Sequence, residues 1–317
     1  MLIILAVMLL FPLVFALVFK NELESSKTFT AFLIPALLSL SIGFFLRLTF
    51  GSRKPNLPQA MLICSIGWLV ISAIGALPLV IGIDAGYLDA VFETMSGFTT
   101  SGITVFTGLD IMPRSILFWR SLTQWVGGLG ILTFFLAVSS KIPNAHLLFG
   151  AESHKISSGR PVPGMLNTVK MLWAIYAGFT FLIMMGLIVC GMSVFDSLCH
   201  SLTSLSTGGF SPHDASIAWY DTLDINYKAI QYVLIAGMIL GGTSFLVHYR
   251  ILTGNIRALW DNSEMKLWGI LITGFTLIIL FDVAGGTQGT CPIDGIGETE
   301  VRTSLFHTVS ILTSTGF

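Results

Sequence analysis

Charged side chains are scarce in this sequence. Asp, Glu, Lys and Arg make up 10% of its 317 residues, and 54% of the residues are hydrophobic. Soluble domains carry roughly 25% charged residues. The composition therefore excludes an ordinary soluble fold and predicts a polytopic membrane protein. The formal net charge of −1 also argues against a nucleic-acid partner, because nucleic-acid binding needs a basic surface.

Cysteine is sparse as well. The four cysteines form neither a CxxC pair nor a Cys/His cluster, so the sequence predicts neither a metal centre nor a disulfide framework. They lie far apart, at Cys64, Cys190, Cys199 and Cys291. The first segment, Met1–Phe19, lacks a basic n-region and a small-residue cleavage site, which favours a retained membrane span over a signal peptide.

What the sequence does contain is one motif used three times. Each copy begins with an apolar stretch of helical character and ends in hydroxyl residues followed by a glycine. With Gly102, Gly209 and Gly316 placed in register, successive copies are 107 residues apart both times. A fixed long period indicates one structural unit used repeatedly. The copies are Asp89–Thr104, Asp196–Ser211 and Arg302–Phe317.

The motif is too short to cross a bilayer and lies beside apolar segments that are long enough. This arrangement predicts a re-entrant loop, in which a half-helix dips into the membrane and an extended strand returns. Asp89 is the predicted N-cap of the first half-helix, and the third half-helix is predicted to begin near Arg302. Each unit would then be a span, a re-entrant loop and a second span, so successive units run parallel.

The chain accordingly divides into an N-terminal hairpin, two complete pore units and the start of a third. The third span is predicted over Gln59–Gly82 and the sixth over Tyr227–Leu246. The predicted boundaries are 1–58 for the transmembrane hairpin and linker, 59–138 for the first pore unit, 139–166 for a cytoplasmic loop, 167–246 for the second pore unit, 247–262 for a second cytoplasmic loop and 263–317 for the incomplete third pore unit.

Loop charge predicts the orientation. With a cytoplasmic N-terminus, the inner loops and helix ends hold 10 of the 16 basic residues, and most acidic residues fall outside. All three re-entrant loops would then enter from the acidic outer side, where cations are concentrated. The inner basic residues are Arg47, Arg53, Lys54, Lys141, Lys155, Arg160, Lys170, Arg250, Arg257 and Lys266.

Such loops suit a monovalent cation. A half-helix that enters from outside directs its negative C-terminal end at the middle of the membrane. The glycines permit backbone angles that a side chain forbids, and main-chain carbonyl oxygens can replace a hydration shell. The segment that returns after each half-helix carries no charged residue. This favours a conducted monovalent ion, which must be released again, rather than a tightly bound divalent ion.

These residues carry a family resemblance. Phe92–Ile131, Ser204–Ile217 and Ile311–Phe317 resemble the first three pore regions of the Trk/Ktr/HKT superfamily of potassium transporters. The hairpin Met1–Phe50 makes the chain more similar to the TrkH branch than to the shorter KtrB branch. The resemblance implies an all-α membrane protein whose units surround a pseudo-fourfold axis. It also implies a homodimeric potassium-uptake subunit of the bacterial inner membrane, regulated by a cytosolic nucleotide-binding partner.

Carried over onto this sequence, the resemblance implies a potassium filter and no bound cofactor; potassium is the transported ion. Glycine rather than serine at Gly102 favours potassium over sodium, whereas channel-like and sodium- or proton-coupled transport both remain open. The partner is expected on the basic loops Lys141–Gly164 and Val247–Asn262. The implied filter residues are Thr100, Ser101, Gly102, Thr207, Gly208, Gly209, Ser314, Thr315 and Gly316.

The sequence departs from the family in length. Family members have four pore units, and this sequence ends inside the third. Three loops leave a gap in the ring, so the 317-residue chain alone is expected not to conduct potassium selectively. A non-conducting fragment or a partner subunit of a larger pore is therefore an alternative. An intramembrane enzyme using Ser101 or Ser206 with His200 is the other class, but the sequence has no GxSG motif and three copies of a nucleophile loop serve no purpose.

A few polar residues admit two interpretations. Glu93, His200 and His307 share one position of the repeat and form either a titratable ring at the outer mouth or local packing and capping. Arg120 lies within a span, where an unpaired charge is costly, so it is expected to pair with an acid such as Glu93 or to bind carbonyls behind the filter. Gly127 and its neighbouring glycines indicate close helix packing rather than a dinucleotide site.

Overall fold

The structure is a computed structural model, and it describes residues 1–18, 26–50, 57–139, 165–257, 263–285 and 297–317. The described residues form α-helices, short 3-10 turns and irregular segments, with no β-strand among them, which confirms the all-α prediction. The helices are α1 (Leu2–Val18), α2 (Ser26–Thr49), α3 (Leu57–Gly75), α4 (Leu77–Ile83), α5 (Tyr87–Phe98), α6 (Arg114–Ser139), α7 (Met165–Val189), α8 (Val194–Leu205), α9 (Tyr227–Gly242), α10 (Phe245–Leu252), α11 (Ser263–Gly285) and α12 (Glu298–Leu312).

Several of these helices are long and apolar enough to cross a membrane. At 1.5 Å per residue, the 24 residues of α2 extend about 36 Å, which exceeds the roughly 30 Å of a hydrocarbon core. Large apolar side chains cover their outer faces, such as Phe45 on α2 and Ile270 on α11. The candidate spans are Lys27–Thr49, Ser65–Ile83, Lys170–Val189 and Ser263–Val283, together with the bent pair α9 and α10.

Two predicted spans are not single straight helices. The third is interrupted at Ala76, because Pro78 at the start of α4 has no N–H to continue the hydrogen-bond ladder. The sixth ends at Gly242, and the chain bends by 102° into α10. Within the bend, Nε2 of His248 lies 2.8 Å from the Leu240 carbonyl oxygen, which it satisfies as a donor. Residues 247–252, predicted as part of a loop, are therefore helical.

The chain forms two compact units. In the first, residues 1–148 and 210–219, α1 packs against α2 and α6, α2 against α4, and the half-helix α5 against α3 and α6. In the second, residues 149–209 and 220–317, α9 packs against α7 and against both half-helices, α8 and α12, while α11 packs against α12. Each half-helix thus lies against a long apolar helix of its own unit.

Parts of the predicted organisation fall outside the described residues. These are most of the linker before Gln59, the charged turn after α1, the polar loop Lys141–Gly164 and most of the acidic segment Gly285–Glu300. The predicted domain boundaries remain predictions.

Candidate functional site: the three re-entrant loops

The half-helices α5, α8 and α12 begin earlier than the sequence suggests. The N-cap of α5 is Gly86, so Asp89 lies in the first turn rather than at the cap. The N-cap of α8 is Ser193, whose hydroxyl accepts a hydrogen bond from the Asp196 N–H. The third half-helix begins at Glu298, four residues before Arg302. An acidic residue in each first turn complements the positive end of the helix dipole.

All three half-helices end in the same way. One residue after the C-cap is left-handed, with φ of 56° at Thr100, 54° at Thr207 and 54° at Ser314. Its N–H and that of the next residue bond back to carbonyls of the last helical turn, which is the Schellman arrangement. The bonds are Thr100 to Gly97 and Ser101 to Ser96, Thr207 to Ser204 and Gly208 to Thr203, and Ser314 to Ile311 and Thr315 to Ser310.

The repeat glycines are left-handed as well. Gly102, Gly209 and Gly316 have φ of 72°, 78° and 78°, a region that disfavours any residue with a Cβ. The conformational reason given for these glycines is confirmed. The predicted extended return stays a prediction: the described residues after each half-helix form no β-strand, and they include two left-handed residues separated by one position.

The glycine-bearing segments Thr207–Gly209 and Ser314–Gly316 of the second and third loops lie in the second unit and touch each other. A Cβ added at Gly209 would overlap the carbonyl oxygen of Thr315, so the two backbones are in direct contact there. Thr207, Gly208 and Gly209 are thereby brought together with Ser314, Thr315 and Gly316. Thr100, Ser101 and Gly102 belong to the first unit.

Hydroxyl groups stabilise the start of the first and third loops in matching ways. Thr99 donates to the Met95 carbonyl at 2.8 Å and pairs with Ser101 at 2.8 Å. Thr313 donates to the Val309 carbonyl at 2.7 Å and pairs with Thr315 at 2.7 Å. In the second loop Gly208 stands at the position of Ser101, so this side-chain pair does not recur.

The spans that follow the first two half-helices, α6 and α9, are called the outgoing spans. Glycines on them allow close approach to the ends of the half-helices. A Cβ at Gly127 on α6 would overlap the Phe98 carbonyl oxygen, and one at Gly241 on α9 would overlap the Leu205 carbonyl oxygen. Phe98 and Leu205 occupy the same repeat position. The close-packing interpretation of Gly127 is confirmed, and the second unit repeats the contact.

A second contact between a half-helix and the following span has its glycine on the half-helix in one unit and on the span in the other. In the first unit, Gly97 on the half-helix faces Thr123 on the span; in the second, Gly237 on the span faces Ser204 on the half-helix. One partner of each pair must lack a side chain because the two helices are so close.

Both expectations for Arg120 are met within the first unit. Its Nε and Nη2 donate to the Glu93 carboxylate at 2.9 and 2.7 Å, and its Nη1 donates to the Ser211 carbonyl at 3.1 Å. The side chains of both ions are almost completely buried, at 2% and 0% exposure. Satisfied partners on every side are what such burial requires.

The residues aligned with Glu93 do not share its environment. His200 is buried and lies 3.2 Å through Nε2 from the Tyr220 hydroxyl, with its ring also against Phe317. His307 is exposed. The structure therefore favours local packing for Glu93 and His200 over a common titratable ring.

The connections beyond the glycines are held by further polar contacts. In the first unit, Asp214 accepts the N–H groups of Gly108 and Leu109 at 2.8 and 3.1 Å, and Asp110 pairs with His213. In the second unit, Lys228 at the start of α9 pairs with Glu298 at 3.1 Å. This hydrogen bond holds the pKa of Glu298 below its ordinary value.

Known proteins are similar to this chain over nearly its whole length. The family model described as TrkH, cation transport protein, matches residues 27–317. An uncharacterized cation transporter of Methanocaldococcus jannaschii is 35% identical over 95% of this chain and 57% of its own length. The Trk system potassium uptake protein TrkH of Escherichia coli is 29% identical over 98% of this chain and 62% of its own.

A solved structure has the same fold. The crystal structure of the potassium transporter TrkH from Vibrio parahaemolyticus matches with a TM-score of 0.82 and 27% identity, covering 100% of this chain and 63% of that one. The chain thus spans about three fifths of the length of these relatives. Extensive sequence and structural similarity, joined to three loops of one backbone design, shows that this chain belongs to the TrkH family of cation transport proteins.

Proposed function

We propose that this protein forms part of a membrane pathway for potassium uptake, with the three re-entrant loops as its ion-selecting segments. The observation that carries the proposal is the repeated backbone: each half-helix ends in a Schellman turn, and a left-handed glycine follows two residues after the left-handed residue of that turn. A conformation kept three times at a period of 107 residues, on segments too short to span a membrane, supports a shared ligand-binding task.

The physical chemistry of the loops suits a desolvated monovalent cation. Three helix C-termini provide partial negative charge, and main-chain oxygens can replace water ligands without a charged side chain. The proposed filter comprises Thr100–Gly102, Thr207–Gly209 and Ser314–Gly316. The relatives named for potassium uptake support potassium as the ion. They are transporters, and we propose transport without enzymatic chemistry or a bound cofactor.

The proposal extends to assembly and orientation. The protein would lie in the bacterial inner membrane with its N-terminus in the cytoplasm and its half-helices entering from outside, in parallel units around a pseudo-fourfold axis. It would act as a homodimer with a cytosolic nucleotide-binding subunit. Support for these points comes from loop charge and family membership.

Complementation tests the function directly. A bacterial strain that lacks potassium uptake should grow at low external potassium when it expresses the complete gene product, meaning this sequence with any coding sequence that continues in frame beyond Phe317. Uptake of 86Rb⁺ in the same cells should be displaced by potassium and only weakly by sodium. Growth equal to that of the empty vector, with the protein present in the membrane, would overturn the proposal.

The alternative is a partner subunit that does not conduct alone. Expressing the 317-residue chain and the complete product in parallel cultures separates the proposal from the alternative. If the complete product restores uptake and the 317-residue chain does not, the alternative holds for the short chain.

A further inference from the structure

We propose that Glu93, Arg120 and Gln124 are positioning residues for ion selectivity: a buried network that holds the chain directly after two of the filter glycines. The inference rests on the proposed function and deepens it, since it assigns selectivity to side chains that do not contact the ion. All of its contacts lie within the first compact unit.

The network begins at the Glu93 carboxylate. Besides Arg120, this group accepts the Thr104 hydroxyl at 2.8 Å and the Val105 N–H at 3.1 Å. Thr104 and Val105 follow Gly102 by two and three residues. One buried anion on the half-helix therefore fastens the returning segment of the first loop to the helix that precedes it.

The same span also holds the segment that follows Gly209. Arg120 bonds the Ser211 carbonyl, and its guanidinium lies 4.3 Å from the centre of the Phe210 ring. One turn along α6, the Gln124 side-chain oxygen accepts the Phe210 N–H at 3.1 Å. Phe210 and Ser211 are the first two residues after Gly209, so two side chains of one helix bind main-chain groups of two consecutive residues there.

This geometry limits how far the two returning segments can move. The guanidinium fork joins a carboxylate, a hydroxyl and a carbonyl, since Nη2 also reaches Thr104 at 3.2 Å. Charge-assisted bonds at buried sites are strong and directional. Discrimination between ions of different radius depends on how well the surrounding oxygens are held, so loosening these anchors should reduce selectivity before it reduces the amount of folded protein.

The network has no counterpart on the second outgoing span. With Thr123 aligned to Gly237 and Gly127 to Gly241, Leu234 stands at the position of Arg120 and Met238 at that of Gln124. Both are buried and apolar. The second copy therefore suggests a substitution for the first: Gln124→Met gives α6 the side chain that α9 carries at the aligned position.

The test compares ion preference in variants of the complete gene product. Gln124→Met removes the acceptor for the Phe210 N–H, and Thr104→Val removes a hydroxyl from the exposed edge of the network with little change in shape. Each should lower the ratio of potassium to sodium uptake at least about fivefold, the effect of one hydrogen bond, at unchanged membrane abundance. Ser121→Ala is the matched control, because Ser121 is buried on the same helix and its hydroxyl donates to the Leu117 carbonyl of its own turn.

A purely structural role predicts something different. It would lower the maximal uptake rate or the abundance and leave the ion ratio and the half-saturating potassium concentration unchanged. A ratio within about twofold of the parent in both variants would overturn the inference, since that change is below the effect of one hydrogen bond. If the Gln124→Met protein does not reach the membrane, the ion ratio of Thr104→Val alone decides whether the inference holds.

Ion-dependent melting of the purified protein gives a second readout. Potassium should raise the thermal midpoint more than sodium in the parent, and this difference should shrink in both variants but not in Ser121→Ala. A parent without potassium uptake contradicts the proposed function itself. A selective parent with equally selective variants contradicts only the positioning role.

Discussion

At the scale of single residues, each loop combines a left-handed hydroxyl residue with a left-handed glycine. Thr100, Thr207 and Ser314 adopt a conformation that costs a residue with a Cβ about 1–2 kcal/mol. The Schellman hydrogen bonds offset part of this cost, and so do local bonds such as that from the Ser314 hydroxyl to the Thr313 carbonyl at 2.7 Å. Keeping this cost in three copies indicates that the loop conformation is needed for function rather than for stability.

Gly316→Ala tests the need for a left-handed residue in the proposed filter. Among the described residues nothing lies within 4 Å of a Cβ added at Gly316, so the substitution strains the backbone without a steric clash. We expect the protein to fold and potassium uptake to fall at least about tenfold, because a 1.4 kcal/mol change in the loop conformation corresponds to that factor. Uptake of 86Rb⁺ into cells measures it.

Gly108→Ala is the matched control. Gly108 has φ of 75°, close to the 78° of Gly316, and a Cβ there would meet its nearest neighbour, Ile111, at an ordinary 3.8 Å. The strain is the same, but the site lies outside the proposed filter. Equal losses of uptake in the two variants would show that general destabilisation, not filter geometry, causes the effect.

The residue scale also shows what the sequence could reveal. The left-handed glycines were predictable because glycine is the residue that tolerates such angles best. The left-handed Thr and Ser were not, since these residues disfavour them and are common in helices and strands alike. The sequence predicted that Arg120 would bind an acid such as Glu93 or a carbonyl, but not which carbonyl, because the bond from Arg120 to Ser211 spans 91 positions.

At the scale of helices, the contact between half-helix and outgoing span is a close backbone approach that one glycine per pair makes possible. Gly97 with Thr123 and Gly237 with Ser204 show two solutions to one steric problem. The existence of the half-helices was predictable from the apolar pattern and the period. The start of α5 was not predictable, because its N-cap, Gly86, has no capping side chain. The 102° bend after Gly242 was not predictable either, because it involves the contact of His248 with the Leu240 carbonyl oxygen in the folded chain.

Moving the glycine of this contact from the half-helix to the span in the first unit tests the steric explanation. Gly97→Ala should lower the thermal midpoint, because the added Cβ would overlap the Thr123 hydroxyl, and overpacking costs typically 1–3 kcal/mol. Adding Thr123→Gly should recover most of the loss, even though glycine in a helix costs about 1 kcal/mol. Thermal unfolding of the purified proteins measures both. A double variant less stable than Gly97→Ala alone would contradict the steric explanation.

The ion pair at the start of α12 makes a prediction about pH. The Lys228 bond keeps the pKa of Glu298 below its ordinary value of 4.5, so the pair's stabilising contribution is present above about pH 4.5 and disappears as the pH falls through the lowered pKa. Lys228→Met should therefore lower the thermal midpoint at pH 7, with the difference from the parent shrinking toward pH 3. Lys266→Met is the control, because Lys266 lies on α11 and is not part of this ion pair. A difference that is constant with pH would exclude the pair as its cause.

At the scale of the whole molecule, the arrangement of charge predicts the direction in which the loops face. Asp224 is exposed on the connection between α8 and α9, and Asn255 is exposed after α10. Because α9 separates these two sites and is long and apolar enough to be part of a membrane span, they should lie on opposite sides of the bilayer. Loop charge predicts that Asp224 is outside, together with the mouth of the loops.

Cysteine labelling in intact cells tests this orientation. A membrane-impermeant maleimide should label Asp224→Cys without permeabilisation and Asn255→Cys only after it. The parent, with its four native cysteines, is the background for both. Labelling in the opposite order would reverse the proposed topology. The half-helices would then enter from the cytoplasm, and the acidic connections could not concentrate potassium at an outer mouth.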